Sequence, residues 1–248
     1  MKVTVITVCL NSEATIEDTI RSVINQEYAN IEYLIVDGKS TDTTLEIINK
    51  YKDKISTLIS EKDNGFYFAI NKAIALAQGE LICILNSDDF YTNSQVIKKV
   101  VELMEKDASD AVYGDLQYID KTAVDKVIRN WKSGYYKAGL FLKGWMPPHP
   151  AFFVKKSCYL NYGNFNTDLK SAADYELMLR FIHKFKISIS YLPEVLVKMR
   201  VGGKSNITLL NRIKANREDR LAWKINGLTP APFTLILKPL LKLKQFLK

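Results

Sequence analysis

Histidine and cysteine are scarce in this 248-residue chain, which holds only His149, His183, Cys9, Cys83 and Cys158. No CxxC pair and no Cys/His ligand spacing occurs, which excludes a structural zinc site. Cys9 and Cys83 fall inside apolar runs and Cys158 stands alone, so the thiols read as reduced and the compartment as cytosolic. There is no uninterrupted apolar run of about 18 residues, the length that would read as a membrane-spanning helix. Met1-Lys2-Val3-Thr4-Val5-Ile6 runs straight into a strand pattern, without the long apolar region and cleavage site of a secretion signal. A GxxxxGK[ST] loop is missing too, so ATP-type phosphate binding has no support. No internal repeat or low-complexity linker divides the chain.

Most of the chain also lacks net charge. Of 35 Lys/Arg and 27 Asp/Glu, ten and two lie at or beyond Lys204, which leaves 25 of each in residues 1–203. The whole +8 therefore sits in the tail. A neutral body does not track a nucleic-acid backbone, whereas a basic tail points to an anionic surface. Hydrophobic content of 47% and charged content of 25% suit one sizeable α/β domain with an appendage.

The most informative stretch is Leu81-Ile-Cys-Ile-Leu-Asn-Ser-Asp-Asp89. Five apolar residues after Gly79-Glu80 read as a buried strand that ends in Asn86, Ser87, Asp88 and Asp89. In an open parallel sheet, ligands bind outside the carboxyl ends of the strands. Two carboxylates there suit a hard divalent cation carried with substrate phosphates; a turn with a helix cap is the alternative.

Upstream, strands at Val3–Cys9, Ile31–Val36 and Ile55–Ser60 alternate with helices at 14–26, 42–52 and 65–78. That alternation implies parallel βαβ units and a doubly wound sheet. Asp37, Asp63 and the Asp88-Asp89 pair then share one carboxyl edge, where they repel unless a cation or a donor-rich ligand sits there. Downstream, a helix to about Lys106 precedes short strands at 111–113, 116–119, 124–129 and 151–154. A helix at 172–185 and strands at 187–191 and 195–201 follow. Helices at 209–226 and 233–247 end the chain.

Four motifs in order carry a resemblance: Val5-Ile-Thr-Val-Cys-Leu-Asn11, Ile35-Val-Asp-Gly-Lys-Ser-Thr-Asp42, Glu61-Lys-Asp-Asn-Gly65 and Leu85-Asn-Ser-Asp-Asp89. Across roughly the first 200 residues the chain resembles the family 2 glycosyltransferases with a GT-A fold. That resemblance implies a mixed, doubly wound α/β sheet with helices on both faces. It implies a catalytic domain over 1–205, with a nucleotide half to about 115 and an acceptor half after it, followed by a basic helical extension over 206–248.

By the same resemblance, Thr7, Asn11, Asp37, Asp63, Gly65, Asn86 and Ser87 match donor-binding positions, with a UDP-sugar as the first expectation. Asp88 matches the ligand of a divalent cation, Mn²⁺ or Mg²⁺. Asn86 stands where the family more often has an Asp. It keeps a carbonyl acceptor and drops a charge. Asp89 has two readings, contact with the metal or the sugar, or the cap of the next helix.

Ser171-Ala-Ala-Asp-Tyr-Glu-Leu177 opens a helix, and Asp174 matches the family's general base, with Glu176 as runner-up. In an inverting displacement, a carboxylate takes the acceptor's proton while the attack proceeds. His149, in Gly144-Trp-Met-Pro-Pro-His-Pro150, resembles an acceptor- or diphosphate-facing histidine, and a buried, satisfied histidine is its other reading. Trp145 has the choice of stacking on a sugar or packing in the core. Arg200 and Lys204 flank Gly202-Gly203 where relatives place a phosphate-side loop.

The last segment carries Lys238, Lys242, Lys244 and Lys248 without an acid, and sets Ile236, Leu240, Leu243 and Leu247 on one helical face. It reads as an interfacial helix for an anionic membrane, or as a helix packed on the domain. The expectation is a peripheral enzyme on the cytoplasmic side of a membrane, acting on a lipid-linked saccharide or glycan. A sugar-nucleotide nucleotidyltransferase and a non-catalytic membrane binder are the rivals. The first would want a Gly-rich basic loop where Cys9-Leu-Asn-Ser-Glu13 stands, and the second leaves the acidic edge unexplained.

Overall fold

The structure is a computed structural model and describes residues 1–202 and 209–245. The four apolar runs of the first half form parallel strands β1 (Val3–Cys9), β2 (Ile31–Asp37), β3 (Thr57–Ser60) and β4 (Leu81–Ile84), laid side by side as β3-β2-β1-β4. Every residue of β1 is buried, and its side chains alternate between two apolar layers. Ile6 and Val8 face one layer; Val3, Val5 and Cys9 face the other. Burial on both faces is why such strands read as unbroken apolar runs.

Helices α1 (Ile16–Ile24), α2 (Thr44–Asn49) and α4 (Val96–Asp107) cover the Val3 face through Ile16, Ile20, Ile48 and Val100. Helix α3 (Phe66–Leu76) covers the Ile6 face through Ala69, Ile70 and Ala73.

Beyond β4 the sheet becomes mixed. Strand β8 (Phe152–Lys155) runs antiparallel between β4 and β6 (Ala111–Ile119), and β9 (Ile189–Arg200) lies parallel to β6. Strand β5 (Asp89–Tyr91) closes on β9, and β7 (Val127–Trp131) pairs with the far part of β6. Two expected pairs of short strands are thus single strands, because pairing to β9 carries β6 through register shifts at Tyr113/Asp115/Leu116.

Asp89 begins β5 instead of capping the next helix, and Gln95 is the residue that precedes α4. Helix α5 (Lys156–Tyr162) has no counterpart in the sequence expectation; seven residues are too few for a periodic signal, although Cys158 and Tyr159 are buried in it. The expected helix at 172–185 is α6 (Ala173–Met178) continued by a π-helical stretch, Leu179–Lys184.

Helices α7 (Leu209–Ile225) and α8 (Thr234–Lys244) pack on α6 and its surroundings. Trp223 is fully buried and donates from Nε1 to Tyr175 Oη at 2.9 Å. Lys238, expected among the free basic residues, is paired with Asp219 at 2.6 Å and lies 3.5 Å over the Tyr175 ring. On the same helix Thr234 and Leu235 are buried, while Ile236, Leu237 and Leu240 are exposed, as is the preceding Phe233. Leu247 and Lys248 lie outside the described residues. No helix among the described residues is long and apolar enough to cross a membrane.

Gly144 sits where α8 touches the domain. Its φ is +81°, and an added Cβ would stand 2.4 Å from the Lys238 backbone nitrogen. Gly227 has φ +67° with nothing near it. Gly227→Ala should therefore show only the left-handed strain, about 1–2 kcal/mol. Gly144→Ala should lose more and should also remove exchange protection from the α8 amides. Equal losses in urea titrations of the two variants would contradict this contact.

Candidate active site

Parallel register brings Cys9, Asp37 and Ser60 into one row at the carboxyl edge. Asp37 is fully buried and its carboxylate is engaged by the chain itself. Ser60 Oγ donates to it at 2.7 Å, the Ser40 amide at 3.0 Å, and the Ser40 hydroxyl makes a further bond. The loops after β1 and β2 are stitched together: Asn11 Oδ1 accepts from the Thr41 amide at 2.9 Å, and the Asn11 amide donates to Ser40 Oγ at 2.8 Å. Asp63 pairs with Lys72 of α3, and its second oxygen is buried without a partner. Gly65, with φ 139°, turns the chain from Asp63 into α3.

At the end of β4, Ser87 Oγ meets Ser12 Oγ at 2.9 Å, tying the turn to the first loop. Asn86 Nδ2 donates to Asp89 Oδ2 at 3.1 Å. Asn86 Oδ1 and Asp89 Oδ1 are both buried and unpartnered. Burial, and then the neighbouring Asp88 charge, hold the Asp89 carboxyl well above the usual range; burial also raises Asp88, which is half-buried.

Arg200, expected near phosphate, is instead buried beneath this turn. It donates to the Asp88 carbonyl at 2.8 Å, pairs with Asp18 of α1, and lies 5.0 Å from the Phe90 ring centre. Among the described residues no three His, Cys, Asp or Glu side chains form a cation cage by themselves. A hard cation held by one or two carboxylates plus phosphates needs no such cage, and the orphaned oxygens beside Asp88 fit one.

The opposite wall comes from the second half. Because β8 runs antiparallel to β4, its start lies beside the end of β4. The 3-10 turn His149–Ala151, set among Pro147, Pro148 and Pro150, thereby comes to the acidic turn. His149 Nδ1 stands 3.7 Å from Asp174 Oδ2 in the first turn of α6. Burial pushes the imidazole below the ordinary histidine range, against the pull of Asp174 and Asp88. A small pocket lies behind the pair, lined by Ile84, Phe152, Tyr159, Phe165, Leu177 and Met178.

Tyr67 of α3, which no local pattern in the sequence marks, stacks on Phe165 at 5.5 Å and lies beside the first turn of α6. An aromatic in the first turn of a helix reads as core, so only the fold reveals that contact.

Three of the expected site residues have partners inside the protein. Thr7 is buried within β1 and its hydroxyl meets Tyr33 Oη at 3.1 Å, because an odd-numbered residue of this strand faces the core on the α1 side. Glu176 is buried in an ion pair with Arg180 at 2.9 Å and accepts from Asn226 at 2.9 Å; two positions past Asp174, it points into the protein. Trp145 donates from Nε1 to the Ser133 carbonyl at 2.8 Å and packs edge-on against Tyr113 and Phe141, which makes it a packing residue. Lys204 lies outside the described residues.

The fold is shared with glycosyltransferases of known structure. The TarS enzyme of S. aureus, solved with UDP-GlcNAc, superposes with a TM-score of 0.71 at 19% identity, over 92% of this chain and 66% of that one. The mannosyltransferase PcManGT of Pyrobaculum calidifontis, solved with GDP-Man and Mn²⁺, gives 0.67 at 19% identity, over 95% and 68%. The fold is GT-A.

The model of glycosyl transferase family 2 matches residues 4–155, and the chain belongs to that family. Among curated relatives, TuaG of Bacillus subtilis (strain 168), named for teichuronic acid biosynthesis, is 34% identical over 142 residues. WfaP of Escherichia coli, a UDP-Glc:alpha-D-GlcNAc-diphosphoundecaprenol beta-1,3-glucosyltransferase, is 37% identical over 125 residues. The matches span 56% of this chain and 56% of TuaG, and 49% of this chain and 48% of WfaP, about half of each relative.

The raised Asp89 carboxyl makes a stability prediction. A carboxyl whose folded value lies above its unfolded one contributes stability that is complete below the unfolded value, about 3.9, and is lost as pH rises through the folded value. Asp89→Asn keeps a neutral group in place, so its melting temperature relative to wild type should climb between pH 5 and pH 8 when no divalent cation is present. A difference that stays constant with pH would refute the buried, protonated carboxyl.

Proposed function

We propose that this chain is an inverting glycosyltransferase. It moves a sugar from a nucleotide-diphosphate donor, with a UDP-sugar as the first candidate, to a hydroxyl of a lipid-linked saccharide or glycan in surface-polysaccharide or glycolipid synthesis. The observation that carries the reading is the meeting of Asp88, His149 and Asp174 across the carboxyl edge, next to the orphaned oxygens of Asn86 and Asp89. TarS with UDP-GlcNAc and WfaP with UDP-Glc favour uridine; PcManGT with GDP-Man keeps guanosine in the test.

The surroundings of each residue support the part given to it. The loops around Asn11, Asp37 and Asp63 form the nucleoside end of the cleft. Asp174 takes the acceptor proton as the hydroxyl attacks. His149, neutral through burial, offers the acceptor a hydrogen-bonding nitrogen without adding charge. Asp88, with Asn86 and Asp89 behind it, is the seat for a divalent cation. A cation held there would supply positive charge to the departing diphosphate.

The exposed Phe233, Ile236, Leu237 and Leu240, on a segment whose charge excess is basic, favour an anionic bilayer on the cytoplasmic side as the surface that α8 meets. A lipid-linked acceptor would be presented there.

Calorimetric titration of UDP and GDP, with and without Mn²⁺, tests the donor site. Metal-dependent binding should vanish in Asp88→Ala, and wild type binding neither nucleotide would end the reading. Asp174→Asn should bind nucleotide normally and lose about 10²–10⁴-fold in turnover. For the membrane, wild type should sediment with vesicles containing an anionic lipid and not with neutral ones. Ile236→Asp combined with Leu240→Asp should stay in solution, and undiminished sedimentation of that variant would exclude α8 as the contact.

A further inference from the structure

We infer that Glu218 of α7 is a positioning residue for the transfer reaction: its carboxylate fixes the entry of α6 and, through it, Asp174. The inference rests on reading Asp174 as the base.

The helix that carries Asp174 has no cap of its own. The residue before it is Ala172, which has no side chain able to satisfy the first amides. The residues just ahead of the helix are instead held by an acceptor 46 residues further along the chain. Glu218 Oε2 accepts from the Ser171 amide at 2.8 Å, the Ser171 hydroxyl at 2.9 Å and the Ala172 amide at 3.0 Å. Tyr67 of α3 lies beside the next two residues, Ala173 and Asp174. The two amides that lead into α6 are thus held by one side chain, on the C-terminal extension. A carboxylate also suits the positive end of the helix that continues into the π-helical stretch.

Two more contacts make α7 a grip on α6. Trp223 holds the Tyr175 hydroxyl, and Asn226 holds the Glu176 carboxylate. The residues that flank Asp174 on both sides are therefore tied to α7, while Asp174 itself is left to face His149. Asp219, beside Glu218, ties α7 to α8 through Lys238. Beyond forming a membrane contact, the extension completes the acceptor wall of the catalytic domain.

Glu218→Ala, Glu218→Asp and Glu218→Gln separate this role from general stability. Turnover is read as nucleotide released to water from UDP-glucose, UDP-N-acetylglucosamine or GDP-mannose, whichever the wild type consumes. Nucleotide affinity is read by calorimetry with Mn²⁺. Glu218→Ala should lower turnover about tenfold to a hundredfold, the scale of a small misplacement of a catalytic group, with nucleotide affinity unchanged. Glu218→Asp, one methylene short, should fall in the same way and serves if the alanine variant does not fold. Glu218→Gln retains an oxygen able to accept the same bonds and should recover most of the turnover.

Wild-type turnover in Glu218→Ala and Glu218→Asp, with Asp174→Asn inactive, overturns the positioning role and leaves the base standing. A parallel fall of turnover and nucleotide affinity in the Glu218 variants also overturns it. Turnover that survives in Asp174→Asn removes the base, and the role of Glu218 with it.

Discussion

Parallel strands end together, and here they end in acids. Asp37, Asp63, Asp88 and Asp89 come from three separate motifs and are crowded onto one partly desolvated edge, where like charges are costly. Much of the local structure is a response to that crowding. Serines 40 and 60 surround Asp37, Lys72 pairs with Asp63, Asn86 donates to Asp89, and Arg200 steadies the Asp88 carbonyl from below. The response is incomplete where it matters. Asp63, Asn86 and Asp89 each keep a buried oxygen without a partner, which a folded protein tolerates where a ligand or a cation completes the set. The Asn at position 86 belongs to the same balance, since a third carboxylate beside Asp88 and Asp89 would raise the repulsion further.

The other wall of the cleft is assembled by long-range contacts. Antiparallel pairing of β8 with β4 delivers His149 to the acidic turn, and α6 delivers Asp174 to His149. Helix α6 is short and has no side-chain cap of its own, so its position depends on what packs against it. Tyr67 reaches it from the donor half, and Glu218, Trp223 and Asn226 reach it from the C-terminal extension. The basic tail is in this sense part of the catalytic body, with one face of α8 docked through Leu235 and Lys238 and another left apolar and exposed. A single segment thus links the His149–Asp174 pair to the exposed apolar face of α8.

The sequence by itself determined the donor half. Strands buried on both faces announce themselves as apolar runs, parallel βαβ units leave few topologies open, and the acids after Val36 and Leu85 mark the edge before any coordinates exist. Asp88, His149 and Asp174 were legible as motif positions, although nothing local said that the last two lie within 4 Å of each other.

The tertiary structure decided the rest, for three physical reasons. Side-chain direction depends on strand phase and helix rotation, so Thr7 and Glu176, adjacent in sequence to edge residues, turn into the core. Aromatic and cationic side chains serve packing and binding alike, so the places of Trp145, Arg200 and Lys238 are decided by Ser133, Asp18 and Asp219 beside them. And elements that borrow their stability from distant partners, such as β5, α5 and the capped start of α6, carry no periodic signal of their own. Their order is written in contacts between residues far apart in the chain, as between Ser171 and Glu218, and a one-dimensional pattern does not contain those contacts.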